Sequence, residues 1–247
     1  MTDHEKMQEM IDGKRHMPMA IERDKCALVI VDVQRFFTRP ESAFAKVFQA
    51  VKPGAIDGYL ERVGTVLPRI QELQRSFRSL QLPVIFVVTG SHTGDGSDLP
   101  AWLKDFDELA KQVMAERANP TVNDWSWQVD ERISPPGQGE LVVNKVSSGA
   151  LASTKLDQIL HNMGIRSLVV CGLTTAVCVA QTAREHADRG FRVVIAKDAC
   201  TEMSQEMHEA ALFSFAHVFG QVREAREIIE FLSGKSVAEA SLEAAHA

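Results

Sequence analysis

Three residues that together can break an acyl bond each follow a short apolar run: Asp32 after ALVIV, Lys145 after LVVN, and Cys178 a few positions beyond SLVVCG. Cys178 also opens CVAQTAREHADRG, so strand, glycine-containing turn and helix come in order and bring its sulfur close to a helix N-terminus. There a helix dipole and a nearby cation favour thiolate over thiol, and free backbone N–H groups can bind a developing oxyanion. A carboxylate and an ammonium that meet across a crevice each supply the charge the other needs. Taken singly, each residue also has an ordinary reading. A strand-end aspartate caps a helix or a loop, a strand-end lysine is a surface charge, and a buried cysteine is a small hydrophobe. The joint reading requires all three strand ends to share one edge.

The elements that would position them are legible as alternating patterns. CALVIVDVQ from 26 contains a short, unbroken apolar run with β-branched residues, and the same grammar recurs in LPVIFVVTG at 82–90, ELVVNK at 140–145, SLVVCG at 167–172, FRVVIAKD at 191–198 and HVFGQV at 217–222. Such runs fit strands covered on both faces. Between them, Tyr59–Leu80, Ser153–Asn162, Cys178–Arg189 and Gln205–Ala216 carry apolar residues at helical spacing. This predicts an α/β fold, a three-layer α/β/α sandwich around a six-stranded, mostly parallel sheet, with its chemistry at the carboxyl ends of the strands. Residues 91–100 and 118–139 break the pattern and are expected as long loops beside the site. We divide the chain into an N-terminal arm at 1–24, a hydrolase domain at 25–235 and a C-terminal tail at 236–247. The arm lacks sustained periodicity and is expected to pack on a neighbour or to move.

Composition narrows the function classes. The 247 residues are 45% apolar and 24% charged, as in ordinary globular chains, and the formal net charge is −6. No basic field is available for nucleic acid or an anionic membrane, and no apolar run approaches a membrane span. A soluble, cytoplasmic protein acting on a small molecule is the expectation. Four cysteines, at 26, 171, 178 and 200, show neither a C-x-x-C pair nor a zinc-ribbon spacing, so a disulfide framework is not expected. Cys200 is expected to be inert.

The segments VIVDVQRFF, VVNKVSSGA and VVCGLTTAVCVAQTAREHADRGF resemble, in order, those of the isochorismatase-like cysteine hydrolase superfamily. The resemblance covers roughly Lys25 to Gly220 and implies a catalytic triad of Asp32, Lys145 and Cys178. It implies that Asp32 takes the thiol proton, that Lys145 holds and orients the carboxylate, and that Cys178 attacks a substrate carbonyl to give a thioester. It implies further a cis peptide at Leu173–Thr174 and an oxyanion hole from the N–H groups of Thr174 and Cys178. Many relatives carry an aspartate two positions before the nucleophile, where this chain has Ala176, which puts the rigidity of that turn in question. The metal-dependent nicotinamidase branch has an Asp-x-His-x-His set, whereas TGSHTGDG offers one histidine, so no catalytic metal and no other cofactor are expected.

Phe37, His92, Gln34, Trp125, Trp127, His217 and Phe219 are candidates for lining the substrate pocket, Phe37 and His92 first. Within the resemblance, GLTTAVCV is similar to the GITTDVCV type of ureide hydrolases. This points to C–N cleavage in a small ureide, carbamoyl or amide compound, in the manner of biuret, triuret, ureidoacrylate and N-carbamoylsarcosine hydrolases. Vinyl-ether hydrolysis of isochorismate and a non-catalytic assembly module are the alternatives. A homo-oligomer, a tetramer before a dimer, is implied as well.

Overall fold

Six apolar runs pair into one open sheet in the computed structural model, which describes residues 1–15 and 17–234. The strands are β1 (Cys26–Val31), β2 (Val84–Thr89), β3 (Leu141–Lys145), β4 (Ser167–Leu173), β5 (Arg192–Thr201) and β6 (Gln221–Arg223). Their order is β3-β2-β1-β4-β5-β6, and every neighbouring pair is parallel. All residues of β1, β2 and β4 are buried, on both pleat faces, which is why their sequences run apolar without alternation.

The sheet order reverses between β1 and β4, so a crevice opens where the chain leaves these two strands. Their approach is close. Gly172, at φ 122°, pairs with Val31, and a side chain there would run into the Val31 backbone. On the other side, Thr89 at the end of β2 pairs with Lys145 at the end of β3. Asp32, Lys145 and the turn after Leu173 therefore all leave the same edge.

Nine helices cover the sheet among the described residues: α1 (Asp3–Arg15), α2 (Arg35–Thr38), α3 (Ala43–Val51), α4 (Asp57–Ser79), α5 (Ala101–Met114), α6 (Leu156–Asn162), α7 (Ala180–Asp188), α8 (Gln205–Val218) and α9 (Ala225–Ser233). The longest, α4, buries Tyr59, Val63, Val66, Leu67, Ile70, Leu73 and Phe77, a stripe at three- and four-residue spacing that packs on β1, β2 and β5. None of the described helices is long and apolar enough to cross a membrane.

The sequence pattern and the structure differ in three places. The HVFGQV run is not a strand from 217. Helix α8 continues to Val218, and only Gln221–Arg223 pairs with β5. Helices α3, α5 and α9 occupy stretches to which the pattern assigns no element; α9 is opened by a capping box between Glu224 and Glu227. The arm folds back on its own chain: α1 packs on α8 and β6 with Ile11 buried, Gln221 bridges Pro18 and Ala20, and Arg223 donates to the Met17 carbonyl at 2.8 Å. The tail at 236–247 lies outside the described residues.

The two expected loops are present and tied down. Asp98 accepts hydrogen bonds from Ser91, the His92 N–H and Thr93, while Ser91 bonds to Pro120 and Val122 across the gap between the loops. Asp130, buried, holds the longer loop to the end of α2 through Thr38 and Arg39, and Arg132 of the same loop donates to the Thr38 carbonyl at 2.7 Å.

Candidate active site

Asp32 follows β1 directly in a left-handed conformation, φ 52°, and its N–H donates to the Val87 carbonyl at 2.8 Å. This bend turns the side chain off the sheet into the crevice rather than leaving it in the strand alternation. Lys145 ends β3 two strands away, yet its Nζ lies 2.8 Å from Asp32 Oδ2. The same ammonium donates to the Ser147 carbonyl at 3.0 Å and reaches Cys178 Sγ at 3.5 Å. Cys178 stands in a single wide turn, Thr175–Val179, that runs straight into α7. The three side chains belong to residues that are 0%, 1% and 6% exposed, so water does not screen them from one another.

Burial and mutual charge push each group's titration in a definite direction. Desolvation pulls the Lys145 ammonium toward deprotonation, but the Asp32 carboxylate and the Cys178 sulfur outweigh it, and its pKa is raised. Desolvation raises the Asp32 pKa, against the opposing pull of Lys145 and a hydrogen bond from Cys178. The Cys178 thiol is pushed up strongly by burial, with Lys145 pulling it down and the Asp32 charge pushing it up again. Burial thus works against the thiolate that a helix dipole and a cation favour, and Lys145 is the group that works for it.

The turn presents its backbone in an ordered way. Ala176 N–H donates to Glu202 Oε2, Val177 and Val179 N–H point to the Thr174 carbonyl, and Ala180 N–H to the carbonyls of Thr175 and Val177. The Leu173–Thr174 peptide is cis.

The candidate pocket residues divide. Trp127 lies against Gly90 so closely that any side chain there would overlap the indole, and its Nε1 donates to Asn144 Oδ1 at 2.7 Å. Asn144 also bonds to the Gly90 carbonyl and to His92 Nε2, so Trp127 and His92 form one network next to Lys145. Phe37 is half-buried on α2, its ring against Phe36 and Phe44. Trp125 is largely exposed, and its carbonyl accepts from Arg35. Gln34, by contrast, is a staple and not a free pocket group. Its amide bonds to both backbone groups of Thr89 and to the Trp127 carbonyl, leaving no strong donor for a ligand. His217 and Phe219 are not brought to the site. Helix α8 runs back from the carboxyl edge, so they lie beside the start of β6, where Phe219 stacks on Phe215 under Arg184.

Three further groups near the triad are absent from the sequence-based candidates. Glu202 follows β5 and is buried, accepting from Ala176 and Met203 N–H. Its signal exists in the sequence: a carboxylate closing an apolar run, as at Asp32, but displaced because β5 extends to Thr201 rather than to Asp198. The Tyr59 hydroxyl is fully buried without a hydrogen-bond partner among the described residues, and burial first, then Glu202, raises its pKa. His208 bonds through Nδ1 to Thr175 Oγ1 at 2.8 Å, and burial lowers its pKa. Neither Tyr59 nor His208 has a local pattern that would reveal it.

The chain is also similar over most of its length to known proteins. A family model described as the isochorismatase domain matches residues 26–227. A ureidoacrylate amidohydrolase, RutB, of Pseudomonas syringae pv. syringae is 28% identical over 223 residues, covering 84% of each chain. An N-carbamoylsarcosine amidase of an Arthrobacter species is 24% identical over 210 residues, covering 83% of this chain and 70% of the relative. A crystal structure of a cysteine hydrolase from Pseudomonas syringae pv. phaseolicola shares the fold at a TM-score of 0.72 and 23% identity, covering 89% of this chain and 99% of the other.

Proposed function

The chain belongs to the isochorismatase domain family, a hydrolase family with relatives named as amidases, and from that premise we propose a cysteine amidohydrolase that cleaves a C–N bond in a small ureide, carbamoyl or amide compound. One observation carries this reading: the buried Lys145 ammonium lies 2.8 Å from the Asp32 carboxylate and 3.5 Å from the Cys178 sulfur at the carboxyl edge of the sheet.

In the proposed reaction, the Cys178 thiol gives its proton to Asp32 as its sulfur attacks the substrate carbonyl carbon. The C=O bond opens to an oxyanion, which the N–H groups of Thr174 and Cys178 receive. Asp32 returns the proton to the leaving nitrogen, the C–N bond breaks, and a thioester remains on Cys178. Asp32 then takes a proton from water as its oxygen attacks the thioester. When the C–S bond breaks, that proton restores the thiol. Lys145 stays an ammonium throughout and keeps the carboxylate poised to accept and release one proton. The names of the two amidase relatives favour a ureide or carbamoyl substrate, and the polar 91–100 loop with His92 supplies donors and acceptors for one.

An ammonia-release screen over ureides, N-carbamoyl amino acids and simple amides tests the assignment. At least one class should be hydrolysed; silence across all of them removes it.

A further inference from the structure

The carboxylate of Glu202 comes from a different strand than any of the three triad residues and reaches the turn that carries Cys178. It is 1% exposed, and its two oxygens are divided between two backbone N–H groups: Oε2 accepts from Ala176 at 2.7 Å, Oε1 from Met203 at 2.9 Å. The segment that bears it is itself clamped. Arg62 of α4 donates to the Glu202 carbonyl at 3.0 Å and to the Met203 carbonyl at 2.6 Å. A chain of directed bonds thus runs from α4 through the end of β5 to the residue two positions before the sulfur. Ala176 itself has only a methyl group and no polar atom with which to hold that turn.

We propose that Glu202 is a positioning residue for the nucleophile turn. By engaging the Ala176 N–H, it fixes the turn so that Cys178 Sγ stays against Asp32 and Lys145, and it turns that amide away from the oxyanion, leaving the role to Thr174 and Cys178. The inference rests on the reading of Cys178 as nucleophile. It differs from simple capping of a buried N–H, which would affect stability but not the reactivity of the sulfur. A misplacement of about 1 Å costs on the order of 100-fold in rate, so small slack in this turn is enough to be measured.

The test compares the parent with Glu202→Met, which keeps the shape and removes both acceptors, and Glu202→Gln, which returns one acceptor oxygen. Two readouts need no substrate: hydrogen exchange across residues 174–180, and the rate of Cys178 alkylation by iodoacetamide as a function of pH. Exchange should rise in Glu202→Met, and Cys178 alkylation should slow by about 10- to 100-fold, with Glu202→Gln between it and the parent. Turnover of any amide that the parent hydrolyses should follow the same order. Unchanged exchange in both variants overturns the proposal. So does raised exchange with alkylation and turnover at parental rates, because Glu202 would then be a cap alone. If Glu202→Met does not fold, the same two readouts on Glu202→Gln decide. A parent inactive on every amide counts against the functional reading, while exchange and alkylation still decide the role of Glu202.

Discussion

Replacing Cys178 with alanine is expected to lower amide hydrolysis by at least ~10⁴-fold while the protein still folds. The expected size follows from the proposed route: without sulfur no acyl group can be carried, and Asp32 has no side-chain nucleophile left to deprotonate. The structural cost is small. Cys178 packs as a short side chain in the turn, and losing one sulfur costs about 1 kcal/mol, an amount set against the relief of removing a polar group from a dry site. Cys178→Ser should be nearly as inactive, since a hydroxyl gives up its proton to Asp32 far less readily than a thiol. The measurement is single-substrate kinetics beside a thermal melt. A Cys178→Ser protein with full turnover would mean that protonation by Asp32 suffices, as vinyl-ether hydrolysis requires, and would exclude amide cleavage through a thioester.

At Lys145, both activity and stability should be lost. Lys145→Met removes the cation beside a carboxylate that is 0% exposed, and leaving one partner of a buried pair costs about 3–5 kcal/mol. The sign of its pH dependence follows from the direction of the Asp32 shift. In the fold, burial already holds the Asp32 pKa above its ordinary value of 3.8. Without the ammonium it rises further. A carboxyl whose folded pKa lies above its unfolded value favours the fold at low pH, and that contribution is lost as pH rises through the folded pKa. The gap in melting temperature between parent and Lys145→Met should therefore be wider at about pH 8 than at about pH 5. Asp32→Asn in the same background should recover stability without recovering turnover. A gap independent of pH would contradict an unpaired Asp32 carboxylate as its cause.

Much of the frame that makes these predictions possible is legible in the residues. Strands β1, β2 and β4 announce themselves because a doubly covered parallel strand has no polar face to interrupt it, as CALVIV and SLVVC show. Their lateral order is not legible, since no local pattern says that β3 lies outside β2 or that β4 adjoins β1. Lys145 and Asp32 meet only because of that order. Gln34 looks like a pocket group in one dimension. Its role is set by the backbones of Thr89 and Trp127, which are distant in sequence. His217 and Phe219 lie in the expected strand HVFGQV, but α8 runs back from the carboxyl edge to Val218 and leaves them at the opposite edge, beside the start of β6. The burial of Cys178 escapes the sequence for a different reason. Proximity to a helix start is visible in spacing, but the depth of burial, which raises the thiol, is a property of the whole packed molecule.

Cys178 is buried, yet Lys145 Nζ reaches its sulfur at 3.5 Å and itself lies 2.8 Å from the Asp32 carboxylate. Cys26, Cys171 and Cys200 are also buried, and burial pushes each of their thiols up without an ammonium beside it. Time-resolved peptide mass spectrometry after mild alkylation of the native protein measures the difference. Cys178 should label well ahead of the other three and lose that lead when both charges are removed in Lys145→Met with Asp32→Asn. Equal, slow labelling of all four, or a lead that survives loss of both charges, would contradict it.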